Sequence, residues 1–116
     1  MNHYTYFLSI VMNTEGSLHE LENLFLKIVD KYKIGIISML LVISDSPNHI
    51  HAIIISKRKI YEDKIYNILG DGFSVKLYEL YTLRDLKNVT RYIETHEGKI
   101  IDINYSNYIK NLLYDT

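Results

Sequence analysis

Pro47-Asn48-His49-Ile50-His51-Ala52-Ile53-Ile54-Ile55-Ser56, followed at once by Lys57-Arg58-Lys59, is the stretch on which the fold turns. Its β-branched run is apolar at consecutive positions, which predicts a strand covered on both faces in the middle of a sheet. Residues two apart on a strand share a face, so His49 and His51 project side by side. Two neutral imidazoles fixed in parallel are a ready pair of metal ligands. The bland reading, a strand with two histidines at its exposed entry, carries equal weight for an isolated His-x-His. Lys57, Arg58 and Lys59 beyond them suit a phosphate-bearing partner, or form an ordinary solvated charge run.

Upstream, His3 to Asn13 alternates as a strand, with Tyr4, Tyr6, Leu8, Ile10 and Met12 on one face and Phe7, Ser9 and Val11 on the other. Ser17-Leu18-His19-Glu20 has the form of a capping box. Leu18, Leu21, Leu24, Phe25, Ile28, Val29 and Tyr32 follow at helical spacing, the clearest amphipathic helix in the chain. Gly35 ends it, and Ile36 to Ile43 predicts a second strand that reaches the histidine strand through the short turn Ser44 to Asn48. Downstream, the pattern predicts a helix from Ile60 to Leu69, a strand from Phe73 to Tyr81, a helix from Arg84 to Glu97, a short strand from Lys99 to Ile103 and a helical turn or two from Tyr105 to Leu113. The order is β-α-β-β-α-β-α-β. Its economical packing is α+β, an antiparallel sheet of four or five strands with helices mainly on one face, close to the ferredoxin-like plan.

All 116 residues read as one domain, 1–116, with no linker or repeat. There are no cysteines, so disulfide frameworks and thiol nucleophiles are excluded. No apolar run reaches the length of a bilayer crossing and the N-terminus lacks a signal-peptide pattern, which predicts an intracellular, cytoplasmic protein with no membrane association. The formal net charge of −1 argues against a general nucleic-acid coat protein. Basic residues are nonetheless uneven: Lys27, Lys31 and Lys33 precede residue 57, and the other ten of thirteen follow.

On the predicted third helix, Leu86, Val89 and Ile93 form the stripe that packs on the sheet. Tyr92 and His96, four apart, lie on the edge flanking it. Such a tyrosine is either a boundary aromatic, with His96 solvated near a helix C-terminus, or a phenol held beside a metal.

Taken together, Phe7-Leu8-Ser9-Ile10, the Pro47 to Ile55 segment with His49 and His51, and Asn88-Val89-Thr90-Arg91-Tyr92-Ile93-Glu94-Thr95-His96-Glu97-Gly98 resemble, in order and spacing, the three motifs of the HUH endonucleases. That superfamily includes the replication initiator (Rep) proteins of small viruses and plasmids and the single-tyrosine transposases. The chain is similar to the small stand-alone Rep proteins of archaeal viruses, since nothing helicase-like is attached. Members with a Tyr-x-x-Lys motif carry lysine where Thr95 stands here. The resemblance implies a metal-dependent DNA-nicking and joining enzyme in which His49, His51 and a third ligand, His96 or Asp45, hold Mn²⁺ or Mg²⁺. It implies Tyr92 as the nucleophile, with Tyr108 as the alternative, and a 5′-phosphotyrosine intermediate. Single-stranded or hairpin DNA is the expected partner, contacted by Lys57, Arg58, Lys59 and Arg91, and a homodimer is the expected assembly. The competing readings are a single-tyrosine transposase and a non-catalytic ferredoxin-like module that binds nucleic acid or another partner.

Overall fold

A computed structural model describes residues 3–114. The elements run β1 (Tyr4–Met12), α1 (Leu18–Tyr32), β2 (Ile36–Ser44), β3 (His49–Ser56), α2 (Glu62–Leu69), β4 (Phe73–Glu79), α3 (Leu83–Glu94), β5 (Lys99–Ile103) and α4 (Tyr105–Tyr114). The strands form one antiparallel sheet in the order β4-β1-β3-β2-β5. The α+β, ferredoxin-like plan expected from the sequence is the one the chain adopts, with β3 at the centre.

Period-two alternation divides the sheet into two faces. One carries Tyr6, Leu8, Ile10, Met39, Leu41, Ile43, Ile50, Ala52 and Ile54, and with Leu21, Phe25 and Ile28 of α1 and Ile65 of α2 these make the larger core. The other carries Leu40, Val42, Ile53 and Ile55, which pack with Leu86 and Ile93 of α3 and Tyr105 of α4. The helices therefore divide between the faces rather than lying mainly on one: α1 and α2 pack on the first, and α3 and α4 cover β2 and β3 on the opposite one. That division explains the run Ile53-Ile54-Ile55: a strand covered on both sides needs apolar side chains at every position, and all three are at least 98% buried.

Local chemistry sets the element ends. Ser17 caps α1, its Oγ accepting from the Glu20 amide at 3.1 Å. Thr82 caps α3 in the same way through the Asp85 amide at 3.1 Å. α2 starts two residues later than its apolar pattern predicts, because the Ile60 amide is committed to the Tyr6 hydroxyl at 3.0 Å. Asp102 begins α4, its Oδ1 accepting from the Tyr105 amide at 2.7 Å.

Candidate metal and nucleophile site

His49 and His51 stand on the face of β3 that α3 covers, and the register fixes their flanks. His51 lies between Ser9 of β1 and Val42 of β2, and His49 between Val11 and Ser44. The third imidazole comes from beyond α3. That helix ends at Glu94 rather than running to Glu97: the Thr95 amide makes the last four-residue helical bond, to the Arg91 carbonyl at 3.0 Å, which the Thr95 hydroxyl shares at 2.8 Å, and the next amide bonds only three residues back. His96 therefore occupies a tight turn, its amide donating to the Ile93 carbonyl at 3.1 Å. Gly98, at φ +139°, then takes the chain into β5.

His49, His51 and His96 come together. Each offers a ring nitrogen, and these atoms lie within 4.8 Å of one another. Hydrogen bonds define two of the tautomers. His49 Nδ1 faces the Pro47 carbonyl at 2.5 Å and His96 Nδ1 faces the Glu97 carbonyl at 2.8 Å. A carbonyl only accepts, so each Nδ1 carries the proton and donates, and each Nε2 is left with a lone pair. Those two Nε2 atoms point at each other across 3.2 Å. Facing lone pairs at that distance call for a cation between them, a shared proton or a metal ion. His51 is suited to the second: burial first, then the neighbouring His49 and His96, push its pKa down to about 4, so it is a neutral donor at physiological pH. Its Nδ1 is buried without a hydrogen-bond partner. Three imidazoles, two of them oriented by backbone carbonyls, make a donor set that fits a divalent transition ion.

Tyr92, on α3, brings its hydroxyl to 3.4 Å from His51 Nε2. Its ring meets both His51 and His96 edge-on, with centroids 5.3 and 5.5 Å away, and it is 47% exposed. Thus the phenol is anchored on one side and open to solvent on the other. Tyr108 lies elsewhere, packed at the margin of the smaller core beside His3, with burial raising its pKa. Between the two tyrosines weighed on sequence, the geometry joins Tyr92 to the histidines. Asp45 lines a cleft of about 690 Å³ together with His49, His96, Glu97 and Lys99, but it does not belong to the close ligand group.

The basic triplet is not at this site. Lys57, Arg58 and Lys59 follow Ser56 at the far end of β3, and six extended residues from His51 to Lys57 span roughly 20 Å. Arg58 folds against Gly35, and Lys59 lies over the Tyr61 ring at 5.6 Å. Arg91 neighbours Tyr92 in sequence but lines a cavity with Leu83, Lys87, Thr90, Glu94 and Ile109, between α3 and α4. Phe7, which opens the first of the three motifs but was given no role there, is a further contributor. It stacks on His51 at 5.7 Å and meets Tyr92 edge-on at 6.1 Å, so one ring buttresses both. The signal was present in the alternation of β1, which puts Phe7 and Ser9 on the same face as the β3 histidines.

No protein-family model and no curated protein matches the sequence. Among solved structures, the crystal structure of the hypothetical protein ORF119 from Sulfolobus islandicus rod-shaped virus 1 is similar, with a TM-score of 0.61 and 19% identity over 83% of this chain and 86% of that one. The likeness is one of fold. Within the described residues, no helix is long and apolar enough to cross a membrane.

Proposed function

We propose that this chain nicks and rejoins single-stranded DNA through Tyr92, in the initiation and termination of viral or plasmid DNA replication. The observation that carries the reading is a half-exposed phenol 3.4 Å from an imidazole nitrogen in a three-histidine group. A fold shared with a viral protein of similar length supports the viral setting.

A phenol with an ordinary pKa of about 10 needs both placement and charge stabilisation to attack phosphorus. Placement comes from α3, whose Leu86 and Ile93 are fully buried against the sheet, and from Phe7 at the ring edge. The Tyr92 oxygen bonds to phosphorus, the bond from phosphorus to the 3′ oxygen breaks, and that oxygen leaves, taking a proton from solvent to become a 3′-hydroxyl. The phenolic proton goes to solvent, which the exposed side of the ring admits. What remains is a phosphotyrosine ester to the 5′ side of the downstream strand. Because the ester conserves the broken linkage, a later 3′-hydroxyl reverses the step and joins strands without a nucleotide cofactor. A divalent ion, Mn²⁺ or Mg²⁺, held by His49, His51 and His96 would offset the charge that grows on the phosphate oxygens. An all-imidazole set favours Mn²⁺ over Mg²⁺. With one such tyrosine per chain, coupled cleavage and joining would call on two copies.

The test is covalent capture. Protein incubated with end-labelled single-stranded or hairpin DNA and Mn²⁺ should give an SDS-resistant adduct, lost in Tyr92→Phe and retained in Tyr108→Phe. An adduct that survives Tyr92→Phe refutes the assignment of the nucleophile, and no adduct with any divalent ion refutes the nicking activity.

A further inference from the structure

Beside the histidines, α3 leaves half of the sheet face uncovered. On that face β1 presents Phe7, Ser9 and Val11, and β4 presents Ser74, Lys76 and Tyr78. No carboxylate stands among them, although the chain as a whole carries one more acidic residue than basic. Pairing places Lys76 opposite Ser9 and Tyr78 opposite Phe7, one strand further from the centre than the residues that flank the β3 histidines. Tyr78 is 53% exposed. Its ring stacks on Phe7 at 6.3 Å and 21°, and Phe7 stacks in turn on His51 at 5.7 Å and 26°. A nearly parallel series of rings thus leads from the open sheet to the Tyr92 hydroxyl. Two strand spacings, about 10 Å, separate its outer end from His51.

As a cross-strand aromatic pair Tyr78 and Phe7 add modestly to the stability of the sheet, and the outer half of the Tyr78 ring remains in water and open to stacking. A flat π-face, a neighbouring cation and adjoining hydroxyls, with no negative charge on the surface, form a set complementary to an unpaired nucleobase and its phosphate. We infer that this β1/β4 face is a binding platform for single-stranded DNA, with a base stacked on Tyr78 and a flanking phosphate on Lys76. A duplex keeps its bases stacked on one another and cannot offer one to Tyr78, so the platform selects unpaired strands. The inference rests on the nicking reading for its choice of nucleic acid, but its test does not.

The test is binding in EDTA, where no nicking occurs. Fluorescence anisotropy of a labelled oligothymidylate, titrated with protein at several salt concentrations, should show binding that a duplex of equal length matches only weakly. Tyr78→Ala should raise Kd by about fivefold or more, and Tyr78→Phe should restore it. Lys76→Gln should reduce the slope of log K against log salt by about 0.7, the release expected for one single-strand phosphate contact. Both Tyr78 and Lys76 are exposed, and far-ultraviolet circular dichroism checks that their variants fold. Unchanged affinity in Tyr78→Ala, an unchanged salt slope in Lys76→Gln, or equal affinity for duplex overturns the platform. Adduct formation alongside unchanged Tyr78→Ala binding leaves nicking standing without the platform, whereas the predicted binding changes without any adduct leave the platform without nicking.

Discussion

Gly98→Ala is the substitution that most directly probes how the third histidine is placed. A Cβ at this position would sit 2.5 Å from the Ile43 carbonyl oxygen and 3.0 Å from both Ser44 Cβ and Val42 Cγ2. The first contact is with backbone inside the sheet, which cannot swing away. The backbone is also at φ +139°, where L-residues are strained by about 1–3 kcal/mol. Overpacking adds about 1–3 kcal/mol, so the variant should lose about 2–6 kcal/mol of unfolding free energy. Gly70→Ala serves as the control, because Gly70 also has positive φ, +82°, yet a Cβ there meets nothing within 4 Å. It should cost about 1–3 kcal/mol, the strain alone. The clash in Gly98→Ala should also separate two of the three clustered histidines. Ser44 pairs with His49 across the hairpin, and His96 lies two residues before Gly98, so any relief of the contact widens the 3.2 Å between their Nε2 atoms. Mn²⁺ affinity should fall by about tenfold or more, the scale of damage seen when a ligand's supporting contacts are lost. Urea unfolding gives the first number, and thermal shift against Mn²⁺ concentration gives the second. If Gly98→Ala costs no more than Gly70→Ala and keeps the full Mn²⁺ response, the close approach of β5's entry to β2 does not position His96 and the reasoning fails.

Further outcomes can be checked on the same material. Mn²⁺ at a hundred times its Kd should stabilise the fold by about 2.7 kcal/mol, reversed by EDTA and largely lost in His96→Ala, as read by thermal unfolding. Tyr92→Phe should leave stability within about 0.5 kcal/mol, because the ring packing is retained and only a long 3.4 Å contact is lost; a large loss in urea unfolding would make Tyr92 a structural residue. Ile93→Ala, fully buried beneath α3, should cost about 2–5 kcal/mol in the same assay, and a cost near zero would mean that α3 is not anchored there. Burial raises the Tyr105 pKa to about 12, so above pH 10 the unfolded chain loses this proton before the folded one does. Stability should therefore fall between about pH 10 and 12, by about 2 kcal/mol from this group. Tyr105→Phe should flatten that part of the profile, and an unchanged slope would place the phenol in solvent.

The fold was legible because its elements obey single periods. The helical spacing of Leu18 to Tyr32 and the alternation of β1 have one reading each, and Ile53-Ile54-Ile55 demanded cover on both faces. Which helices supply that cover on each face was not legible, since an apolar stripe states that a helix is buried without naming the face it meets. The site was legible where neighbours in sequence become neighbours in space, as for His49 and His51. It was hidden where pairing joins distant residues: the stacking of Phe7 on His51 follows from the β1–β3 register, which sets Ser9 against His51 and Phe7 one pair further along. Lys57 to Lys59 misled for the complementary reason. Closeness in sequence to the histidines places them, on an extended strand, at the opposite end of the sheet.

The same geometry bears on why His96 rather than a carboxylate completes the group. Asp45 reaches the shared cleft from the β2–β3 turn, and two of the three close imidazoles have their Nδ1 protons tied to carbonyls of the very loops that carry them, Pro47 in that turn and Glu97 beside Gly98. Each loop thus orients its own histidine through its backbone, and the tight turn after Thr95 sets the distance between them. A carboxylate in place of His96 would bring one negative charge to neutralise the ion, but it would have no proton to give to the Glu97 carbonyl and so no such tether. An imidazole trio instead leaves the full charge of a divalent ion uncompensated by the protein. Were such an ion bound, that is the condition under which it would act most strongly on the phosphate of the proposed substrate.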